Sequence, residues 1–442
     1  MNRNQENDLL KQELHLVHSI MERIHFNMDS FELIDEIIKT LLTHLPFERG
    51  NIGIINENDK LVIHNIFERL YPNTSQDLKT FLEPFFGVEI NYQKNPMWIC
   101  QAINQDKEFY YPEVVFEKMP EDTKKYFLLS GNKALFITPL KLGSKIYGAI
   151  FFTDNDKSVF LSEEEKSYIR RSGSLIAKVI ENNMIYKKIE KQNQQFENET
   201  ILAGKIQKDF LPKKLPIHPK IKLVSEYLPM KNVGGDYYDF IYPDPKDNGK
   251  FGFLIADVSG HGVPAAFITS MIKMVFQSDF VKNNASNPIK VLEEINRSIL
   301  DKTSGNFVTA FYAFIDLDKK TIRFSSAGHN PFFSLSRINS IWNEFSTKGR
   351  FLGVFDEIKL EEQLIDLHEN DRLFFYTDGL TEAADQNFVF FEEKLYHIFK
   401  TSYHLPVKEF SAHILSELKK HALFGNKKEL DDDMAFVIMD IF

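Results

Sequence analysis

The sequence predicts an α+β protein with two separate cores joined by a helix. Three observations lead there. The chain has 442 residues and 43% hydrophobic content, enough apolar material for more than one core. Residues 25–185 set helix-spaced apolar stripes before and after a series of strand-like runs. From Ile221 onward, short strand-like runs are interleaved with helical segments, which fits two packed sheets with helices outside.

Taken in order, Leu10, Leu14, Val17, Met21 and Ile24 recur at helical spacing, so residues 1–24 are expected to form an N-terminal helix. Asp29-Ser30-Phe31-Glu32 reads as a capping box. Behind it, Phe31, Ile34, Ile37, Ile38, Leu41, Leu42 and Leu45 give a second helix one apolar face. Residues 51–55 and 60–67 read as strands, and residues 134–138 and 145–153 as a hairpin connected through 139–144. Ser162-Glu163-Glu164-Glu165 then opens a long helix. Residues 25–185 are therefore expected to form one domain with helices on one face of a sheet.

Residues 186–212 are strongly polar, yet Ile185, Ile189, Phe196, Ala203, Ile206 and Phe210 lie on one heptad seam, interrupted by Gln192 and Glu199. A solvated single helix and a parallel dimeric coiled coil both fit that pattern. Pro212 and Pro216 end it. In residues 213–442, strands are expected at 251–256, 307–317, 322–326, 372–377 and 434–442. Helices are expected from Pro264 to Phe276 and over 288–300, 391–400 and 407–421. The 307–317 run is apolar on both faces, as a strand inside a sandwich should be.

Composition narrows the function. A net charge of −10 argues against a nucleic-acid partner, which calls for a basic face. Cys100 is the only cysteine, so no internal disulfide exists and a reducing cytoplasm is expected. Cys100 itself reads as a small core residue. No apolar run reaches the length of a membrane span, and the polar first residues lack a signal-peptide core.

The chemistry concentrates in four acidic stations of the C-terminal half: Gly234-Gly235-Asp236-Tyr237-Tyr238-Asp239, Asp257-Val258-Ser259-Gly260-His261-Gly262, Thr377-Asp378-Gly379 and Asp431-Asp432-Asp433-Met434. Carboxylates at strand ends are costly to bury unpaired, and if folding gathers them they repel unless a cation sits among them. An oxygen-only donor set suits Mg or Mn rather than zinc. Asp239 reads as a surface strand residue, Asp431 as a bystander and Ser259 as structural. His329 reads as a structural turn residue near the site, and His261 as either a proton donor or a loop-shaping group.

Two resemblances follow from these residues. The "PLKLGSKIYGAIFF" hairpin and the "LSEEEKSYIRRSGSLIAKVIENN" helix resemble those of a GAF domain, with a PAS-like sensor as the competing fold. "GGDYYDF", "ADVSGHGVPAAFI", "SAGHNP", "YTDGLTEA" and "DDDMAFVIMDIF", in this order, resemble the RsbU/SpoIIE-type serine phosphatases of the PPM superfamily. "LAGKIQKDFLP" resembles the segment that introduces that domain.

The second resemblance implies an α-β-β-α sandwich over residues 213–442, with a centre of two Mn or Mg ions. Asp236, Asp257, the Val258 carbonyl, Asp378 and Asp432 are implied as ligands. Asp257 would bridge the ions, and Asp433 would be a supporting ligand. Asp257 and Asp378 are the implied catalytic pair. Where the family usually has Thr or Ser after Asp-Met, this chain has Ala435.

The implied function is dephosphorylation of a phosphorylated STAS-domain protein in a partner-switching pathway. A GAF-like domain over residues 25–185 would sense a small-molecule or protein ligand, and a helical linker over 186–212 would act within a homodimer. A non-catalytic scaffold with a pseudophosphatase domain and a nucleotidyl cyclase are the rival readings.

Overall fold

The computed structural model describes residues 30–64, 87–115, 124, 131–244, 246–339, 341–424, 427 and 429–442. The expected N-terminal helix lies outside these residues. Contacts divide the chain into two units, Met1–Asn193 and Gln194–Phe442.

In the first unit, strands β1 (Arg49–Ile55), β2 (Leu61–His64), β3 (Glu89–Ile90), β4 (Phe109–Tyr111), β5 (Ala134–Leu142) and β6 (Lys145–Asp154) form one antiparallel sheet. Its order is β3-β2-β1-β6-β5-β4. Helix α1 (Ser30–His44) lays Ile34, Ile37, Ile38 and Leu41 on one face, together with Ile169, Ile176 and Ile180 of a later helix. Helix α2 (Trp98–Gln105) covers the other face with Trp98, Ile99, Ala102 and Ile103.

The sheet is therefore covered by helices on both faces, not on one as the sequence suggested. The reason lies in β5, where Leu135 and Ile137 point to one core and Phe136 and Leu140 to the other. A strand apolar on both sides needs cover on both sides. The hairpin is also tighter than expected. β5 continues through Pro139, which pairs with Ala149, and only Gly143-Ser144 turn the chain. β4 reaches no further than Ile137, so Pro139 lies where β5 is a sheet edge and its missing N–H costs nothing. Cys100 is buried in the α2 core, and burial pushes its thiol up to about 12.

Helix α3 (Glu163–Lys208) is a single element of 46 residues. It opens at Ser162 as expected, where Ser162 and Glu165 form a capping box, the Ser162 N–H donating to Glu165 Oε2 at 2.7 Å and the Glu165 N–H to Ser162 Oγ at 3.3 Å. No break separates the expected domain end near 185 from the linker. Ile185, Ile189, Phe196 and Ile206 on the linker seam are exposed. No helix among the described residues is long and apolar enough to cross a membrane.

In the second unit, two five-stranded antiparallel sheets face each other. One has the order β14-β11-β10-β9-β8 and the other β13-β12-β15-β16-β7. Their strands are β7 (Ile221–Leu228), β8 (Tyr237–Ile241), β9 (Lys250–Val258), β10 (Val308–Asp316), β11 (Thr321–Ala327), β12 (Phe332–Ser336), β13 (Trp342–Phe345), β14 (Glu362–Asp366), β15 (Asp371–Tyr376) and β16 (Met434–Ile441). Phenylalanine fills the space between the sheets. Phe240, Phe253, Phe311, Phe324, Phe332 and Phe375 share one core, with the Phe253 and Phe375 rings 4.8 Å apart.

Outside the first sheet lie α4 (Val263–Phe276), α5 (Asp279–Asn283) and α6 (Pro288–Ile299). Outside the second lie α7 (Asp378–Thr381), α8 (Glu392–Ser402) and α9 (Val407–Ala422). This is the expected sandwich with helices outside. Strands β8, β12, β13 and β14 were not legible, being short or lacking clean alternation.

Candidate metal centre

The acidic stations fall at chain crossings at one end of the sandwich. Asp236 stands immediately before β8, and Asp257 is the penultimate residue of the neighbouring β9. Register holds them side by side, with Tyr237 opposite Ala256 and the Val258 N–H donating to the Gly235 carbonyl at 3.3 Å. In the other sheet Asp378 opens α7 just after β15, while Asp432 and Asp433 lead directly into β16. Tyr376 pairs with Phe436 there, and the Thr377 N–H donates to the Ala435 carbonyl at 3.0 Å.

One side chain ties the two sheets together at this end. The Thr377 hydroxyl donates to Asp236 Oδ2 at 2.6 Å and accepts the Ala435 N–H at 2.8 Å. Thr377 is wholly buried. Sequence reading missed it because Thr377 looked like the last residue of a strand. Position 435 lacks a hydroxyl, and Thr377 puts one against its backbone.

The gathered carboxylates press on one another. Burial, and then the Asp257 charge, hold Asp236 well above the ordinary carboxylate range, against the Thr377 hydrogen bond that favours its charged form. Burial followed by Asp378, Asp432 and Asp433 raises Asp257. Asp378 is raised by burial and Asp432, and Asp433 by burial against two backbone hydrogen bonds. Glu382, one turn beyond Asp378, is raised by burial and by Asp378 and Asp432, a rim carboxylate that the sequence did not flag.

The residues present fit a hard divalent cation in kind. All side-chain donors are carboxylates, and their mutual repulsion is what a cation relieves. Gly235 leaves a cradle, since a Cβ there would stand 2.7 Å from the Val258 carbonyl and 3.3 Å from the Gly260 carbonyl. Among the described residues the buried Tyr227 hydroxyl has no hydrogen-bond partner, and burial, then Asp433 and Asp236, raise its pKa. Among the described residues, however, no three Asp, Glu, His or Cys side chains converge tightly enough to form a finished cage. The carboxylates are neighbours in charge but not yet in coordination geometry.

The remaining acidic residues divide by role. Asp433 is buried and accepts the Met230 N–H at 2.7 Å and the Gly235 N–H at 2.6 Å, so it holds the Gly-Gly-Asp loop. Asp239 is not a surface residue. It is buried, ion-paired to Lys273 at 2.6 Å and bonded by Tyr237 and Gln277, because β8 packs beneath α4 on that side. Asp431, itself exposed, pairs with half-buried Lys427.

Ser259 Oγ accepts the Phe307 N–H at 2.8 Å, a structural bond between loops. His329 is buried, its Nδ1 2.9 Å from the Thr309 hydroxyl, and burial pushes it down to about 4. It is therefore a neutral structural group beside Asp257, which pairs in register with Thr309. His261 is exposed on the loop after β9.

Comparison with known proteins decides the family of this domain. Residues 247–442 match the family described as Stage II sporulation protein E (SpoIIE). They form a SpoIIE-type domain. The chain is 28% identical over 247 residues to phosphoserine phosphatase RsbU of Bacillus subtilis (strain 168), covering 56% of this chain and 71% of that protein. It is 27% identical over 255 residues to phosphoserine phosphatase RsbP of the same organism, covering 55% of this chain and 58% of RsbP. The SiaA-PP2C domain of Pseudomonas aeruginosa superposes on 57% of this chain and 98% of its own, at 17% identity and a TM-score of 0.49. All five quoted motifs but "GGDYYDF" lie inside the SpoIIE-type match.

Proposed function

We propose that this protein is a metal-dependent protein-serine/threonine phosphatase of a partner-switching pathway. The observation that carries the reading is the gathering of Asp236, Asp257, Asp378 and Asp433 from two sheets into one mutually repelling group at the SpoIIE-type domain. Its kinship with two proteins named phosphoserine phosphatases supplies the reaction class.

In this reading Asp236, Asp257, the Val258 carbonyl, Asp378 and Asp432 are the residues that would hold two Mn or Mg ions. Bound there, the ions supply Lewis acidity that activates water and neutralises charge on a phosphoryl group. The chain supplies the rest. The Thr377 hydroxyl favours the charged form of Asp236 and aims it, and Asp433 fixes the loop that carries it. Buried, neutral His329 and the packed ends of β9 and β15 restrict water behind the carboxylates. No side chain acts as a covalent nucleophile, and Ser259 is committed to Phe307.

The substrate is proposed to be a phosphorylated STAS-domain protein. The first unit is proposed to be a GAF-like sensor. A cavity of about 370 Å³ lined by Ile34, Ile54, Val62, His64, Ile180 and Met184 is large enough for a small ligand. The exposed seam of α3 supports a homodimer. The decisive experiment is hydrolysis of an aryl phosphate with Mn by wild type, Asp257→Asn and Asp378→Asn. The reading requires metal-dependent turnover that both substitutions abolish, and turnover that survives both overturns it.

A further inference from the structure

The net charge of the chain is −10, yet one groove of the second unit is basic. It runs between the segment entering β7, the start of α9 and the end of β16, with a volume of about 1070 Å³. Lys214, Lys222, Arg337 and Lys408 line it, against two acids, Glu409 and Asp440. Lys214, Lys222 and Lys408 are exposed and form no ion pair among the described residues.

Asp440 is already matched twice over. Arg372 Nε donates to its Oδ1 at 2.6 Å, Arg372 Nη2 to its Oδ2 at 2.9 Å, and Arg337 Nη1 to the same Oδ2 at 2.7 Å. Arg372 and Asp440 are almost wholly buried, so two guanidinium groups and one carboxylate leave a surplus positive charge under the groove. Arg337 Nε is buried and has no hydrogen-bond partner among the described residues. A surplus charge held away from water is costly until an anion answers it.

The groove is not purely polar. Leu215 and Ile217 form part of its wall, and Ile217 is 79% exposed. A nucleic-acid base would need an open aromatic face to stack on, but Lys222 Nζ and the Arg337 guanidinium already lie over the Phe442 ring, each 4.9 Å from its centre. An extended peptide with apolar residues between its carboxylates matches both the charge and the wall. The groove is also remote from the candidate metal centre. Arg372 pairs with Asp440 at one end of β15, and Thr377 lies beyond its other end. That is about 17 Å of extended chain.

We propose that this groove is a docking site for an acidic, extended segment of a protein partner, seated on Lys222, Arg337 and Lys408. Occupancy of the groove does not depend on whether the distant carboxylates hold metal.

The test is fluorescence anisotropy of a fluorescein-labelled peptide alternating glutamate with leucine, titrated with the full chain. A peptide alternating glutamine with leucine is the control. The acidic peptide should bind and the control should not. Raising the ionic strength from about 0.1 M to about 1 M, which shortens the Debye length from about 10 Å to about 3 Å, should weaken binding about tenfold. Lys222→Glu combined with Lys408→Glu should weaken it at least about tenfold as well. Both side chains are exposed and lie outside the carboxylate site, so Tm and aryl-phosphate turnover should keep their wild-type values. If that pair is not folded by circular dichroism, Lys214→Glu is measured instead, with about a threefold weakening expected.

A wild type that leaves the acidic peptide unbound, or binds both peptides equally, overturns the proposal. So does a folded charge-reversed variant that binds as tightly as wild type. Tighter binding of phosphatidylserine vesicles or single-stranded DNA than of the acidic peptide overturns it too, because the groove would then serve a different class of partner.

Discussion

Replacing Thr377 by valine removes one oxygen and keeps the shape of the side chain. That oxygen makes two buried hydrogen bonds, donating to Asp236 Oδ2 at 2.6 Å and accepting from the Ala435 N–H at 2.8 Å. Two losses follow. The first is a bond to a carboxylate, worth about 1.5–3 kcal/mol. The second is a buried N–H left without an acceptor, worth about 1–3 kcal/mol. The two overlap, and an added buried methyl offsets part of them, so about 2–4 kcal/mol of folding stability should go. For a unit of this size that corresponds to roughly 5–15 °C in Tm.

The assay is calorimetric unfolding in chelator, followed on the transition that Mn shifts, so that the second unit is the one observed. Thr377→Ser, which keeps the hydroxyl, should recover most of the loss. A Thr377→Val protein that melts within a degree of wild type would refute the inter-sheet bond and the placement of Asp236 that depends on it.

Three further outcomes are expected. Asp236, Asp257, Asp378 and Asp433 have raised pKa values, so the folded metal-free protein binds more protons than the unfolded chain. Its stability should therefore fall as pH rises from about 7.5 to about 8, above the value of about 6.5 that His329 has in the unfolded chain and the value of about 4 it has when folded, and Asp257→Asn should flatten that slope in chelator melts. Gly379→Ala would place a Cβ 1.9 Å from the Asp433 backbone oxygen, where nothing flexible can yield, and should leave little folded protein in soluble expression. Phe196→Glu on the α3 seam, a side chain 63% exposed, should convert a wild-type dimer to monomer by light scattering, and a wild type that is already monomeric would refute the coiled-coil proposal.

The sequence made some parts of this protein plain and hid others. Phe31 to Leu45 announced α1 because a helix that buries one stripe repeats its apolar residues at a fixed spacing. The start of α3 at Ser162 was legible because a serine followed by an acidic first turn is a local signal, though the capping box that Ser162 and Glu165 form there was not read. β8 was not legible. Its residues, Tyr237 to Ile241, are buried on both faces, and Asp239 among them looked solvent-exposed until Lys273, distant in sequence, was found beside it. The second helical layer of the first unit was missed for the same reason: an apolar strand states that it is buried but not by what.

By itself the sequence determined which residue types were available for chemistry. Carboxylates beside glycines, in a fixed order along the chain, are local features, and both the family resemblance and the oxygen-only donor set rest on them. Tertiary structure decided what each one does. It turned Asp433 toward backbone N–H groups, buried Asp239 against a lysine, and brought Thr377 to the loop that carries Asp236. These assignments depend on contacts between residues as much as 203 positions apart, as from Met230 to Asp433. Local pattern has no access to such distances, because register, packing and burial are set only when the sheets close on each other.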